Sequence, residues 1–190
     1  MAKRPEPTGD TIAVTITALE MTARPTRPAP AAPRLNSPVM LVHAERPTIS
    51  FYRYLYNTVG EDWLWYERRI LDDAALGAII HDDDVFVYVL YTGGVPAGYV
   101  ELDCRRRPDI EVAYVGLIPE FIGHGLGWRL VNWAIESAWS REPDRVWIDT
   151  CSLDHPAALP LYQKAGFTPF GQRTIEIPNP RLLPCFGGGA

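Results

Sequence analysis

Three glycines at alternate positions, Gly123, Gly125 and Gly127, open a predicted helix shortly after a strand that ends at Pro119. Glycine permits backbone conformations that other residues avoid, and it lets a ligand approach the main chain. The first N–H groups of a helix have no partner inside the helix and lie at the positive end of its dipole. Together these features predict a cradle for a pyrophosphate group.

The glycine pattern has other interpretations. A tight turn that binds nothing explains the three glycines equally well. A Rossmann dinucleotide site fits poorly, because its third glycine should come three residues after the second and no βαβ unit opens the chain. A P-loop does not fit, because no Gly-Lys-Ser/Thr follows the glycines.

A second motif lies downstream, after a predicted strand at 146–150, and it is in register with the first. The first motif reads Leu117-Ile-Pro119-Glu-Phe-Ile122-Gly123-His-Gly125-Leu-Gly127, and the second reads His155-Pro-Ala-Ala158-Leu-Pro-Leu161-Tyr162-Gln-Lys-Ala-Gly166-Phe167. This linked pair resembles the GNAT superfamily of acyl-CoA N-acyltransferases over about residues 85–170. The family's Gln/Arg at the start of the turn is Ile122 here, and the family's Asn is His155.

The resemblance implies a fold and a reaction. The fold is a single domain of the α/β (α+β) class, with a mixed, mostly antiparallel central sheet flanked by helices. The reaction is that of an acyl-CoA-dependent N-acyltransferase (EC 2.3.1 type), which moves an acetyl or acyl group from acetyl-CoA to a primary amine in a ternary complex. The acceptor is expected to be a small molecule or amino-acid-like, and no metal is expected. A CoA-binding regulatory module without turnover is the alternative, and an NAD-binding oxidoreductase is a third hypothesis.

Tyr162 stands at the family's position for the general acid. A tyrosine with its ordinary pKa near 10 is protonated at neutral pH and can donate to a departing thiolate. The main chain of Leu117 is implied to pair with the pantetheine arm, and its N–H to donate to the developing oxyanion. The residues implied to contact the coenzyme are Leu117, Ile118, Ile122, Gly123, His124, Gly125, Leu126, Gly127, His155, Ala158 and Tyr162.

Glu111 is the predicted general base, with a surface salt bridge as the alternative role. It lies six residues before Leu117 on one strand, so strand periodicity predicts that the two side chains share a face. Glu101 and Asp103 on the preceding strand are rival bases. His155 is a further candidate because its pKa lies in the middle range.

The start of the second motif contains residues that could cap its helix. Asp154 and His155 are both candidates, with Asp154 the better capping type and Pro156 suited to the first helical position. Pro160 is unexpected inside a helix, because it removes a backbone hydrogen bond and can kink the chain.

Hydrophobic periodicity predicts the elements that position these residues. Strands are predicted at 11–19, 39–44, 85–91, 95–104, 110–118, 145–151 and 167–177, and helices at 49–59, 63–80, 125–140 and 156–165. The aromatic residues Trp63, Trp65 and Tyr66 are predicted to pack in the core, with a pocket wall as the alternative.

Net charge, cysteine spacing and composition give the remaining predictions, on partners, location and domain bounds. The net charge of −5 argues against a nucleic-acid partner, and the Arg105–Arg107 triplet is interpreted as a solvated turn. The three widely spaced cysteines suggest neither disulfides nor a metal site. With no secretory signal or membrane span predicted, a cytoplasmic location is expected, and a homodimer is compatible with the family. Residues 1–9 are expected to be disordered, 10–180 to form the domain, 23–38 to be a proline-rich connector within it, and 181–190 to be a flexible tail.

Overall fold

The computed structural model describes residues 9–26 and 37–187, which form a seven-stranded sheet and four helices. The strands are β1 (Thr11–Met21), β2 (Val39–His43), β3 (Val85–Thr92), β4 (Val95–Asp103), β5 (Asp109–Leu117), β6 (Arg145–Cys151) and β7 (Thr168–Pro178). The helices are α1 (Ile49–Gly60), α2 (Asp73–Ile80), α3 (Leu126–Trp139) and α4 (Ala158–Lys164).

The sheet is mixed and mostly antiparallel. Its strand order is β2-β3-β4-β5-β6-β1-β7, and β5 and β6 are the parallel pair. A crossover through α3 joins these two strands, as a parallel pair requires. The predicted fold class, a mixed sheet flanked by helices, is therefore confirmed.

The two faces of the sheet bury separate hydrophobic clusters. On the face that we call the α3 face, residues of α3 such as Leu130 and Ile135 pack with Val100 and Val112. On the opposite face, which we call the α1 face, side chains of α1 and α2 pack with Tyr99. Alternating side chains of each strand supply the two clusters.

β5 carries a bulge that changes which side chains share a face. Glu101 pairs with Tyr114, but the next residue of β4 pairs with Val112, so Ala113 is an extra residue in β5. Such a bulge shifts the alternation of side chains by one. Glu111 therefore lies on the α1 face and Leu117 on the α3 face, and the prediction that they share a face is wrong.

The predicted helix at 63–80 is wrong in its first half. Leu64 has a left-handed backbone conformation, with φ +56°, which a helix cannot contain. Trp65 instead folds back onto Gly60, where an added Cβ would lie 2.5 Å from the Trp65 side chain. The helix begins only at Asp73, because the Asp72 carboxylate accepts the N–H of Ala75 at 2.7 Å and caps it.

The chain ends and the proline-rich segment are only partly described. Predictions for residues 1–8, 27–36 and 188–190 lie outside the described residues. Residues 181–187 contain short 3-10 turns, and the Arg69 guanidinium lies 4.0 Å from the centre of the Phe186 ring. Within the described residues, none of the helices has the length and apolarity needed to cross a membrane.

Candidate functional site

A cavity of about 540 Å³ opens where β5 and β6 separate. The two strands pair only from Asp109 and Arg145 to Glu111 and Trp147. Beyond that point β5 is hydrogen-bonded to β4 alone, and the gap is lined by side chains from both faces of the sheet. The cavity therefore connects the α1 face with the α3 face.

The main chain of β5 faces this gap. The N–H of Ile118 donates to the Ala97 carbonyl of β4 at 2.9 Å. Because N–H groups alternate sides along a strand, the N–H of Leu117 points away from β4 and towards the gap. This places a backbone donor at the edge of the cavity, as predicted for Leu117.

The glycine turn, which we define as residues 122–127, lies at one end of the cavity. Gly123 and Gly125 have φ of +91° and +81°, and an added Cβ at either would meet nothing within 4 Å. Gly125 is the N-cap of α3, so the N–H groups of the first helical turn point out of the helix beyond it. The turn thus has the left-handed glycine backbone and outward amides that suit an anion cradle.

Hydrogen bonds within the protein leave most of this turn available. The N–H of Ile122 is used, since it donates to the Pro119 carbonyl at 3.2 Å. Among the described residues, the five amides from Gly123 to Gly127 have no such backbone partner. The buried Nδ1 of His124 also has no hydrogen-bond partner in the described part of the chain. These amides fit an anionic ligand, whereas the Ile122 side chain offers it nothing polar and His124 does not line the cavity.

Tyr162 lines the cavity from α4 on the α3 face, with 7% of its surface exposed. Burial, with smaller contributions from Asp154 and Cys151, raises the pKa of Tyr162 well above its ordinary value. The phenol therefore holds its proton throughout the physiological pH range. Burial also raises the pKa of the neighbouring Cys151 thiol, to about 12, so Cys151 is not a thiolate nucleophile.

Glu111 lines the cavity from the α1 face. Burial raises the pKa of Glu111 to about 7, and the charges of Asp103 and Asp149 act in the same direction. A carboxylate with this pKa can take up and release a proton near neutral pH, as a general base must. Glu111 thus lies in the wall of the cavity and has a pKa close to neutral.

The two alternative candidates for the general base, Glu101 and Asp103, are paired with other side chains outside the cavity. Glu101 is fully buried, where it accepts the Tyr52 hydroxyl and pairs with Arg68 at 2.7 Å. Burial alone would raise the pKa of Asp103, but hydrogen bonds from Arg105 lower it below its ordinary value. Neither carboxylate lines the cavity.

Asp154 joins the end of β6 to the loop before α2. One carboxylate oxygen accepts the Thr150 hydroxyl at 2.9 Å and the Cys151 N–H at 2.8 Å, and the other accepts the Trp65 indole N–H at 3.2 Å. The Nδ1 of His155 receives the Ala157 N–H at 3.0 Å, but Ala157 is itself the N-cap and precedes the helix. No side chain of the described residues caps α4, so the expectation that Asp154 or His155 caps it is wrong.

Pro160 removes no helical hydrogen bond. α4 begins at Ala158, so Pro160 lies in the first turn, where backbone N–H groups have no partner inside the helix. The predicted helix at 156–165 starts two residues too early, and the expected kink rests on that early start.

Aromatic side chains form a wall on the α1 face of the cavity. Trp63 and Trp65 line it with Tyr114, and the Trp63 ring lies 5.0 Å from that of His155 in an edge-to-face arrangement. Trp65 also packs against the buried cluster of the α1 face, in agreement with the predicted core packing, whereas Trp63 lines the cavity and is not part of that cluster. Tyr66 does not line it and packs against residues of β1 and β7.

Several cavity residues were not identified from the sequence. They are Glu67 in the loop before α2, Tyr114 on β5, Asp149 on β6 and Arg173 on β7. Tyr114 shares a strand with Glu111, and Asp149 alternates with Ile148 and Thr150, so strand alternation could have indicated both. No local signal marks Glu67 or Arg173. In the described ranges, no cluster of three or more His, Cys, Asp or Glu side chains could hold a metal ion.

Comparison with known proteins agrees with this geometry. The profile of the acetyltransferase (GNAT) family matches residues 48–167, which include α1, the glycine turn and α4. An uncharacterized N-acetyltransferase of Methanocaldococcus jannaschii is 32% identical over 126 residues, covering 62% of this chain and 50% of the relative. The chain thus spans about half the length of that curated relative.

Solved structures share the fold. A GCN5-related N-acetyltransferase from Sphaerobacter thermophilus superposes with a TM-score of 0.65 at 14% identity, over 87% of this chain and 52% of that one. A GNAT-family acetyltransferase from Novosphingobium aromaticivorans gives 0.59 at 18% identity, over 90% and 69%. An aminoglycoside N-acetyltransferase solved with CoA gives 0.53 at 18% identity, over 70% and 90%.

Proposed function

Since the chain belongs to the acetyltransferase (GNAT) family, we propose that it transfers an acetyl group from acetyl-CoA to a primary amine of a small-molecule acceptor. One observation carries the proposal: a single cavity joins the glycine turn, the phenol of Tyr162 and the carboxylate of Glu111 through the gap between β5 and β6. The two reactants approach this gap from opposite faces of the sheet.

The residues around the glycine turn suit acetyl-CoA, which supplies the acetyl group as an activated thioester. The amides from Gly123 to Gly127 and the dipole of α3 bind the pyrophosphate. The exposed main-chain edge of β5 near Val115 and Leu117 pairs with the amide-containing pantetheine arm. Ala158 and His155 line the cavity, whereas Ile118 and Leu126, predicted from the resemblance to contact the coenzyme, are buried and do not line it.

The chemistry then follows from three groups. Glu111 takes a proton from the acceptor's ammonium group, and the amine so formed attacks the thioester carbonyl. The N–H of Leu117 donates to the oxygen on which negative charge develops. A C–N bond forms and the C–S bond breaks, while Tyr162 gives its proton to the departing sulfur and regains one from the acylated nitrogen.

The bulge at Ala113 suits a mechanism in which the base and the acid act from opposite faces of the sheet. Glu111 is on the α1 face, beside the aromatic wall, whereas Tyr162 belongs to the α3 face. A base beside the acceptor and an acid beside the sulfur are the placements that direct transfer requires. The amine then attacks the thioester through the gap between β5 and β6, where neither strand separates the two reactants.

A CoA-binding regulatory module without turnover is the second candidate. The observation that favours it is Ile122, whose side chain is apolar and whose N–H already donates to Pro119. The two candidates make opposite predictions for the phenol, because a module that only binds CoA does not need a proton donor.

Substitution of Tyr162→Phe tests the proposal, since it removes the proton donor and keeps the ring. We expect kcat for thiol release from acetyl-CoA to fall by roughly 10²-fold or more, with CoA affinity by calorimetry nearly unchanged. Phe167, whose ring lies 6.3 Å from that of Tyr162 in an edge-to-face arrangement, offers the matched control Phe167→Leu. That control should lose stability but retain most of its kcat. Equal turnover by Tyr162→Phe and the wild type would contradict the acid assignment.

A further inference from the structure

The α1 face of the cavity carries more negative than positive charge. Four carboxylates line the cavity, and that of Asp154 accepts hydrogen bonds from three donors of the protein. The other three, those of Glu67, Glu111 and Asp149, stand against one guanidinium, that of Arg173. Arg173 is also more exposed than its partner Asp149, with 57% of its side chain accessible against 29%. An acceptor that enters from this face therefore meets a negative field.

Asp149 has a carboxylate oxygen that lacks a partner. Its Oδ2 accepts a hydrogen bond from Arg173 at 3.0 Å. Its Oδ1 is buried and has no hydrogen-bond partner among the residues that the structure describes. A buried acceptor atom left unsatisfied is costly, so rotation of the Asp149 carboxylate towards the cavity is favoured when a ligand there brings a donor.

Asp149 and Glu111 lie close enough for their charges to interact. Glu111 pairs in register with Trp147, and Asp149 follows two residues later on the same face of β6. The charge of Asp149 accordingly acts on the carboxyl of Glu111. Two carboxylates on one wall can each contact a different nitrogen of one small molecule.

The aromatic wall suits a cationic group as well. Trp63, Trp65 and Tyr114 line the same side of the cavity, and aromatic faces attract ammonium groups. Glu67, which accepts the Tyr56 hydroxyl at 3.1 Å, adds a third carboxylate beside this wall. Aromatic rings together with carboxylates select a cation over a neutral group of the same size.

From these features we infer that the acceptor is a small diamine or polyamine. One nitrogen is acetylated after losing a proton to Glu111, and a second remains protonated and donates to Asp149. The second nitrogen takes no part in the bonds that form and break. This inference rests on the proposed function and specifies the class of its acceptor.

An acceptor with a carboxylate is the opposing possibility, because Arg173 could pair with it. Arg173 is already paired with Asp149, and a ligand carboxylate would lie among the three acidic side chains. The observed charges thus favour a second ammonium group at this position.

Three acceptors of equal length separate these possibilities: putrescine, the amino alcohol in which a hydroxyl replaces one of its amines, and the corresponding amino acid. We expect kcat/KM for thiol release with putrescine to exceed that with the amino alcohol by about 10-fold or more, since a charged hydrogen bond contributes roughly 1.5–3 kcal/mol. Similar kcat/KM values for the two, or a preference for the amino acid, would overturn the inference.

Two variants assign the preference to Asp149. Asp149→Asn should bring the putrescine to amino alcohol ratio close to one. Arg173→Gln frees the Asp149 carboxylate and should maintain or increase the ratio. Asp144→Asn, which changes an exposed acid not in the cavity lining, is the matched control and should keep the wild-type ratio. A wild-type ratio in Asp149→Asn, with thermal melting showing a folded protein, would overturn the assignment.

Failure of the proposed function has a different signature. In that case none of the acceptors releases thiol from acetyl-CoA, and the inference fails with it. If thiol is released but the ratio is near one, the acetyltransferase proposal holds and only the diamine inference is overturned.

Discussion

The glycine turn and the aromatic wall enclose opposite ends of one cavity, but they are built differently. The turn is one continuous segment, residues 122–127, and it presents main-chain amides fixed by positive φ at Gly123 and Gly125. The wall gathers Trp63, Trp65 and Tyr114 from a loop and a strand. One end is encoded locally, whereas the other exists only once the sheet has assembled.

This difference determines what each end can recognise. Backbone amides suit a ligand group that does not vary, such as a pyrophosphate, and they are insensitive to most side-chain changes nearby. A wall of side chains from distant segments can change its specificity by single substitutions. We therefore expect substitutions at the two ends to affect different measurements.

The largest expected effect comes from Gly125→Val at the backbone-built end. Valine is disfavoured at φ +81°, so the turn should rearrange and lose at least two amide contacts to phosphate. At roughly 1.5–3 kcal/mol for each charged hydrogen bond, CoA affinity measured by calorimetry should fall by roughly 10²–10⁴-fold.

Gly94→Val is the matched control for this variant. Gly94 lies in the β3–β4 turn with φ +87°, and an added Cβ there also meets nothing within 4 Å. It should suffer similar backbone strain and a lower melting temperature, while its CoA affinity stays within a few-fold of wild type. Comparable loss of affinity in both variants would show that general destabilisation, rather than the amides of the turn, is responsible.

At the other end, Glu111→Gln should alter catalysis without weakening CoA binding. In the wild type, kcat/KM should rise with pH through the pKa of Glu111, about 7, because the carboxylate is the base. The variant should lose this rise, and its rate at pH 8 should fall by roughly 10–10²-fold. A retained pH profile with an apparent pKa near 7 would exclude Glu111 as the base.

The same variant should be more stable than the wild type at high pH. Burial favours the protonated form of Glu111, so the folded-state pKa of about 7 exceeds the ordinary value of 4.5. Its favourable contribution is complete below the lower value and is lost as the pH rises through the higher one. Thermal melts at pH 8 should therefore favour Glu111→Gln by roughly 1–3 kcal/mol, and the two proteins should converge once the pH falls below the ordinary value of 4.5.

The smallest expected effect tests the hydrogen bonds by which Asp154 connects the end of β6 to Trp65 of the aromatic wall. Asp154→Asn replaces one carboxylate oxygen by an NH₂ group, so either the Trp65 indole or both the Thr150 hydroxyl and the Cys151 N–H lose their acceptor. We expect the acceptor KM to rise by about 10-fold, consistent with loss of a charged hydrogen bond, and CoA affinity to change little.

Trp65→Phe removes only the indole N–H from that link. It should reproduce part of the KM increase, and the double variant should be no worse than Asp154→Asn alone because both changes break the same contact. Fully additive effects would indicate that Trp65 and Asp154 act on the acceptor independently.

The sequence predicts the locally encoded parts of the fold well. The seven strands and the helix at α3 follow from periodicity and turn residues, and the two motifs indicate the family. The glycine turn, Tyr162 and Glu111 are predicted to contribute to one site, and the structure brings all three to one cavity.

The remaining differences come from tertiary packing. Periodicity cannot reveal that Leu64 adopts a left-handed conformation and that Trp65 packs onto Gly60, which together exclude a helix there. It also cannot place Asp149 beside Arg173, since these residues meet only because β6 and β7 both pair with β1. Such contacts depend on sheet order, which is a property of the whole chain.

The extra residue in β5 makes the length of this strand as important as its composition. Because Ala113 reverses the alternation between Glu111 and Leu117, deleting it would turn the carboxylate towards the opposite layer of the protein while leaving every side chain chemically intact. Exchanging Ala113 for another small residue would leave that orientation as it is. At this position a substitution is therefore tolerated far more readily than an insertion or a deletion.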